Sequence, residues 1–417
     1  MRMNKWLLFS CVATLLSACS VQQTKSTTSN LVSYDWEVMP MHPEVMVYHT
    51  SDDKSKIYLG ISSSELLFAR NSPESPFEAR LDCDVMIERM QQGVFVAHDT
   101  TDFVMIYEKE NERDGIIISS NEIDLETFGR YRFTIQLTDL NRRWSFQTSL
   151  EVNKFEGGNK EDYLFTYEDG LPVFGEILRT GELVKYNTSR GDQSLSLRQW
   201  QPKTKLPPPP YVQGSRNYPS LPDTTSGQEI DKDEIFFVTE GLNTMVNANG
   251  DIIHSFLSQG ESYPEIKSVD DMMFSLRYIS GRREYERIED SNYRKKEIDA
   301  FWLDCGGSKD RTRELIKIYY RRVEEANRYF SSSIEGWKTD RGLIHIVFGN
   351  PTKITRDNDR ETWIYGEENN LSSITFNFYR ERNPLSDNLF VLERNPLFRT
   401  DWDRAVTAWR NGRIFQE

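Results

Sequence analysis

Histidine and cysteine are scarce in this chain, with five of the first and four of the second in 417 residues. His42, His49, His98, His254 and His345 stand at no metal-ligand spacing from one another, and neither His-Glu-x-x-His nor Cys-x-x-Cys occurs. No metal and no cofactor are therefore expected. Basic charge is also short: 51 Lys and Arg against 65 Asp and Glu leave a formal charge of -14, so the broad positive field of a general nucleic-acid binder is missing. No Gly-x-Ser-x-Gly elbow is present. Gly306-Gly307-Ser308-Lys309 lacks the earlier glycine and the preceding strand of a phosphate loop. Asp357-Asn358-Asp359-Arg360-Glu361 lacks the glycine and distal glutamate of a calcium loop. No enzyme is indicated.

Long apolar runs are missing as well. The run from Trp6 to Leu16 falls short of the roughly 20 residues that a membrane-spanning helix needs. It follows Arg2 and Lys5 and ends in Leu16-Ser17-Ala18-Cys19, the three parts of a secretory signal. The Leu-Ser-Ala-Cys ending resembles the lipobox of bacterial lipoproteins, which implies a signal peptide over 1–18, cleavage before Cys19 and acylation of its thiol. Several acyl chains at ~0.8 kcal/mol per methylene make such an anchor effectively permanent. Residues 19–37 are polar and aperiodic and read as a flexible tether. Ser20 after the cysteine is similar to the sorting pattern of outer-membrane lipoproteins, so the expected location is the outer membrane, facing the periplasm. With Cys11 in the signal and Cys19 lipidated, only Cys83 and Cys305 remain in the body, and two separate buried thiols are expected.

What is abundant is alternation. Between 38 and 155, Leu81, Cys83, Val85 and Ile87 face one way. Tyr131 to Leu137 and Trp144 to Leu150 form a hairpin around Thr138–Arg143. About seven such strands predict an immunoglobulin-like β-sandwich. Shorter strands over 156–260, with a hairpin turning at Asn247–Asp251, predict a second and smaller β module. Its 202–222 loop holds 7 of the 16 prolines and must be extended. From Ser268 the period becomes helical, with a capping signature at Ser268–Asp271, one helix over about Tyr293–Leu303 and a longer one over Lys309–Phe330. Residues 261–417 are therefore read as a helical segment plus an α+β domain. It has strands at Leu343–Phe348, Trp363–Tyr365 and Ile374–Phe378 and a last helix carrying Trp402, Ala405 and Trp409.

Gly336-Trp337-Lys338-Thr339-Asp340 follows the long helix, and the stretch from about Glu297 to the C-terminus resembles the bacterial GWxTD domain named for that pentapeptide. Phe301-Trp302, Asn327–Phe330, the Gly349-Asn350-Pro351 turn and Ala408–Arg413 add to the likeness. The resemblance implies an architecture and an exported protein, often a lipoprotein, without an assigned activity. As a structural junction, Gly336 is expected to end the helix in a left-handed conformation, Trp337 to face the core, and Thr339 or Asp340 to bond the turn. As a binding groove, Trp337, Thr339, Asp340 and Arg341 would hold a glycan or a peptide end. His345 is expected on the following strand, exposed and out of phase with Ile344 and Ile346. The first functional expectation is a non-enzymatic envelope lipoprotein whose β modules hold the C-terminal domain away from the membrane, where it meets an envelope protein or glycan. The alternatives are a hydrolase of cell-wall or glycan substrate, with Asp340 and a carboxylate or His345 as acid and base, and a component of an envelope secretion or motility assembly.

Overall fold

The computed structural model describes residues 30–31, 41–109, 115–156, 158–189, 191, 194–214, 218–221, 227–357, 359–367, 370 and 373–415. The signal segment and Cys19 lie outside them. Strand β1 (Asn30–Leu31) is followed by β2 (Glu44–His49), β3 (Lys54–Ser62), β4 (Glu78–Gln91), β5 (Val94–Glu108), β6 (Ile116–Asp124), β7 (Gly129–Asp139) and β8 (Trp144–Lys154). Strands β2, β3 and β6 form one antiparallel sheet, and β5, β4, β7 and β8 form another in that order. Leu81, Cys83, Val85 and Ile87 from β4 meet Val47, Ile57, Leu59 and Ile61 from the facing sheet in one core. The predicted hairpin is present, with Phe133 opposite Leu150 and Leu137 opposite Phe146.

The strand order is that of an immunoglobulin-like sandwich, and a tyrosine marks its corner. Tyr131, two residues into β7, is fully buried and donates its hydroxyl to the Glu126 carbonyl at 2.8 Å, tying the incoming loop to the strand. Its ring passes so close to Gly129 that a Cβ there would lie 2.3 Å from it.

The second module repeats this plan. It contains β9 (Tyr163–Tyr167), β10 (Leu183–Thr188), β11 (Leu195–Trp200), β12 (Gln228–Ile230), β13 (Phe236–Phe237), β14 (Gly241–Val246) and β15 (Ile252–Ser258). The sheets are β13-β10-β9 and β12-β11-β14-β15, the same succession one module later. Here Asn243 stands where Tyr131 stands, two residues past a glycine. Its side chain accepts from Thr239 N–H at 2.8 Å and donates to the Thr239 carbonyl at 2.7 Å. A buried amide thus performs the corner tie with less apolar mass, in keeping with the smaller core.

The C-terminal part packs α1 (Val269–Ser275), α2 (Arg282–Glu289), α3 (Arg294–Gly306), α4 (Lys309–Phe330), α5 (Asp340–Phe348) and α6 (Arg399–Arg410) with a sheet of β16 (Lys353–Arg356), β17 (Arg360–Tyr365), β18 (Ile374–Arg380) and β19 (Phe390–Leu392). Ser268 caps α1 through Asp271 N–H. Gly307, at φ 67°, ends α3 and Ser308 caps α4, as their sequence signals predict. Trp302, Tyr319 and Trp409 meet edge to face at the centre, with ring centroids 5.2 to 6.5 Å apart. Cys83 and Cys305 are both buried and free.

Three expectations are corrected. The segment Leu343–Phe348 is not a strand but most of helix α5. All nine residues of this helix are buried, so it has no polar face, and Ile344, Ile346 and Phe348 mimic alternation by chance. The caps carried the helical signal: Thr339 at its start and Gly349, at φ 88°, at its end. The sheet has five strands, not three, because β16 and β19 flank the predicted pair and β1 adds to β16, with Asn30 opposite Arg356 and Leu31 opposite Thr355. That last pairing falls in the stretch whose composition reads as tether. His345, finally, is not exposed but fully buried on α5.

Candidate functional site

The pentapeptide links α4 to α5 through a tight turn at Gly336–Lys338. Gly336 is not in the left-handed region, and its role is close packing. A Cβ on it would lie 1.8 Å from the Ala326 carbonyl oxygen of α4, and a Cβ on Gly342 would lie 2.0 Å from the Gly336 carbonyl oxygen. Two glycines thus let α4, the turn and α5 touch backbone to backbone. The turn amides are all used: Gly336 N–H donates to Ser331 Oγ at 3.0 Å, and Trp337 N–H to Asn327 Oδ1 at 3.1 Å. Thr339 Oγ1 donates to the Gly336 carbonyl at 2.7 Å and accepts from Gly342 N–H at 3.0 Å, closing the turn and capping α5.

The four motif residues singled out from sequence do come together, but inside the protein. Trp337, Thr339, Asp340 and Arg341 are 9%, 2%, 0% and 1% exposed, which makes them contents of the core and not walls of an open groove. Trp337 meets Tyr278 edge to face at 6.1 Å, and the Tyr278 hydroxyl donates to its carbonyl at 2.7 Å.

Asp340 and Arg341 are adjacent on a helix of 3.6 residues per turn, so they point about 100° apart and need different partners. Asp340 takes a two-pronged bond from Arg394, at 2.6 and 3.0 Å, and accepts Leu392 N–H of β19 at 2.9 Å. Arg341 lies over the Phe390 ring at 4.3 Å, donates to Glu361 of β17 at 3.2 Å and reaches Asn388 at 2.6 and 2.8 Å. Burial pushes the Glu361 carboxyl up, but Arg356, Arg341 and the Trp363 indole N–H outweigh it and hold it at about 2. His345 bonds Glu325 of α4 at 2.9 Å, and burial holds its imidazole below the ordinary value. Arg394, Asn388 and Glu325 were not singled out from sequence, and Glu361 entered only as the end of the segment rejected as a calcium loop. The only hint of them is that neighbouring buried charges of opposite sign demand one cation and one anion elsewhere in the chain.

The outer edge of β19 is closed by two devices. Asp340 satisfies the Leu392 N–H, and the proline-rich loop between β11 and β12 lies alongside, with the Pro208 carbonyl accepting from Arg394 at 3.3 Å and the Pro210 carbonyl from Asn395 N–H at 3.1 Å. Prolines accept but cannot donate, so the loop covers the edge without extending the ladder. Beside it a cavity of about 480 Å³ is lined by Gln213, Gly214, Tyr218, Glu381, Leu392 and Arg394. Among the described residues no group of three or more His, Cys, Asp or Glu side chains is placed to hold a metal ion, and no helix is long and apolar enough to cross a membrane.

The GWxTD domain profile matches residues 243–411, from the last two strands of the second module through α6. The chain carries a GWxTD domain. The named pentapeptide is the α4–α5 junction of that domain. No curated protein matches the chain. Two solved structures of β-glucuronidase from Bacteroides uniformis, one covalently bound to cyclophellitol-6-carboxylate aziridine, align over 33% of this chain and 16% of theirs. Their identity is 12% and their TM-score 0.18, so they bear on neither fold nor activity here. The chain thus spans a small part of the length of those enzymes.

Proposed function

We propose that the protein is a lipid-anchored envelope component, held through Cys19 at the periplasmic face of the outer membrane, that binds or scaffolds an envelope protein or glycan. The observation that carries the non-enzymatic part is the state of the motif charges. Asp340 is locked to Arg394, His345 is bonded to Glu325, and both side chains are fully buried, away from any substrate that a hydrolase would have to reach. The cavity beside Arg394, with Tyr218, Gln213 and Glu381 in its lining, has the mixed polar and apolar walls that suit a glycan or a peptide end.

The pairing of β1 with β16 supports a particular orientation. Asn30 follows Cys19 by eleven residues, at most ~40 Å of extended chain, so the GWxTD domain would sit near the anchor rather than be held away from it.

Two measurements test the reading. Radioactive palmitate should label the wild type and not C19A, and C19A should move from the membrane to the soluble fraction. A wild type that stays unlabelled overturns the anchor. Photo-crosslinking amino acids at Gln213 and Glu381 should capture an envelope protein or glycan in living cells, and their failure to capture either overturns the binding role.

A further inference from the structure

We infer that the joint between the second β module and the GWxTD domain is a pH-responsive hinge, closed in acidic surroundings and loosened as they approach neutral. Besides the proline-rich loop, whose Leu206 and Tyr211 pack on the domain core, the module meets the domain through a second and mostly polar joint. From the module come Lys160, Glu161 and Asp162 ahead of β9, Glu176 beyond it, and His254 of β15; from the domain come Arg380 of β18 and the loop residues Ser386 and Asp387. Lys160 pairs with Asp387. Both oxygens of Glu176 are taken by the domain, one by the Ser386 hydroxyl and the other by Asp387 N–H at 3.0 Å. The apolar share of this joint is Leu242 and Leu257 meeting Leu385, with Trp200 and Ile252 packed against them.

Closing this joint gathers like charge. Glu176 faces Lys160 and Asp387, Glu161 faces Lys160, Asp162 and Asp387, and Asp387 faces Lys160, Arg380 and His254. Three carboxyls, Glu161, Glu176 and Asp387, therefore share Lys160, with Arg380 added only at Asp387, because burial, aided by Lys160, pushes the His254 imidazole down to about 4 and leaves it neutral. Burial pushes Glu176 up to about 7, against the hydrogen bonds from Ser386 and Asp387, and pushes Glu161 up to about 7 against Lys160. Both carboxyls bind protons more readily in the closed joint than at the ordinary value of 4.5. Closure is favoured while they are protonated and loses that advantage as pH rises from 4.5 through 7. Asp387, where the desolvation of a side chain that is still 67% exposed is outweighed by Lys160 and Arg380, is held low and stays ionised, and the Lys160 pair persists throughout the window. Mostly polar interfaces of this kind permit relative motion of the units they join.

Hydrogen exchange of the full chain reads the hinge directly, because the Asp387 amide donates to Glu176 across it. After division by the intrinsic rate at each pH, its protection should fall about tenfold or more between pH 5.5 and 8.0. The Gly181 amide, bonded within the module, and the Leu343 amide, bonded within the domain, should hold theirs. The double variant E161Q/E176Q removes the titration and keeps one carbonyl oxygen for Asp387 N–H, while the Ser386 hydroxyl can turn to accept from the new amide, and its Asp387 protection should be flat over that range. Small-angle scattering of the unmodified chain should show a larger maximum dimension at pH 8.0. Constant Asp387 protection in the wild type, an undiminished pH response in the double variant, or equal loss at the two control amides would overturn the inference. If the double variant fails to fold, the wild-type exchange and scattering decide.

Discussion

Asp340 and Arg394 form a pair whose value lies in completeness. A buried carboxylate bonded on both oxygens is tolerable only while its cation remains, and removing one partner of such a pair typically costs ~3–5 kcal/mol. Arg394→Ala should lower the denaturation midpoint accordingly, whereas Asp340→Leu combined with Arg394→Met should cost much less. A double-mutant cycle read by denaturant unfolding separates the two outcomes, and a catalytic role for Asp340 would not predict the recovery. Glu361 makes a pH-dependent contribution. Because its folded value, about 2, lies below the ordinary 4.5, its stabilisation is complete above 4.5 and is lost as pH falls through about 2. That shift is worth about 3 kcal/mol. Thermal melts from pH 6 to 2 should show a steep acid arm in the wild type and a shallower one in Glu361→Gln, which starts from lower stability at pH 6.

Helix α5 shows where pattern reading loses its grip. Its neighbours announced themselves: α4 has one apolar stripe opposite its Arg, Lys and Glu residues, and the observed bounds match the periodic ones. α5 has no such contrast, because every residue from Asp340 to Phe348 is enclosed by α4, the sheet and α6. Period therefore misleads, and the cap at Thr339 is the better guide. Losing that cap should matter more than at an exposed helix, since the Thr339 hydroxyl also closes the turn onto Gly336. Thr339→Ala should cost ~1–2 kcal/mol and Thr339→Ser much less, measured by chemical denaturation. The short strands β16 and β19 escaped notice for a related reason. They are four and three residues long, too short for a period to register.

Across the molecule, two sandwiches of one topology lead into an α+β domain, and the chain doubles back on itself twice: the proline-rich loop reaches β19, and β1 reaches β16. None of these long-range choices leaves a local trace. The repeat of topology is invisible as a sequence repeat because Tyr131 and Asn243 make the same corner with unrelated chemistry. What residue order alone established is whatever depends on near neighbours: the strand alternation of the first module, the capped helices α1, α3 and α4, and the Gly-Trp-Lys-Thr-Asp turn with its family likeness. Which buried charge meets which, whether the motif faces solvent or core, and how Glu176 and Asp387 come to share a joint were settled by folding. Those pairs are separated by tens to hundreds of residues, and electrostatic partners are chosen by distance in space, which periodicity along the chain does not encode.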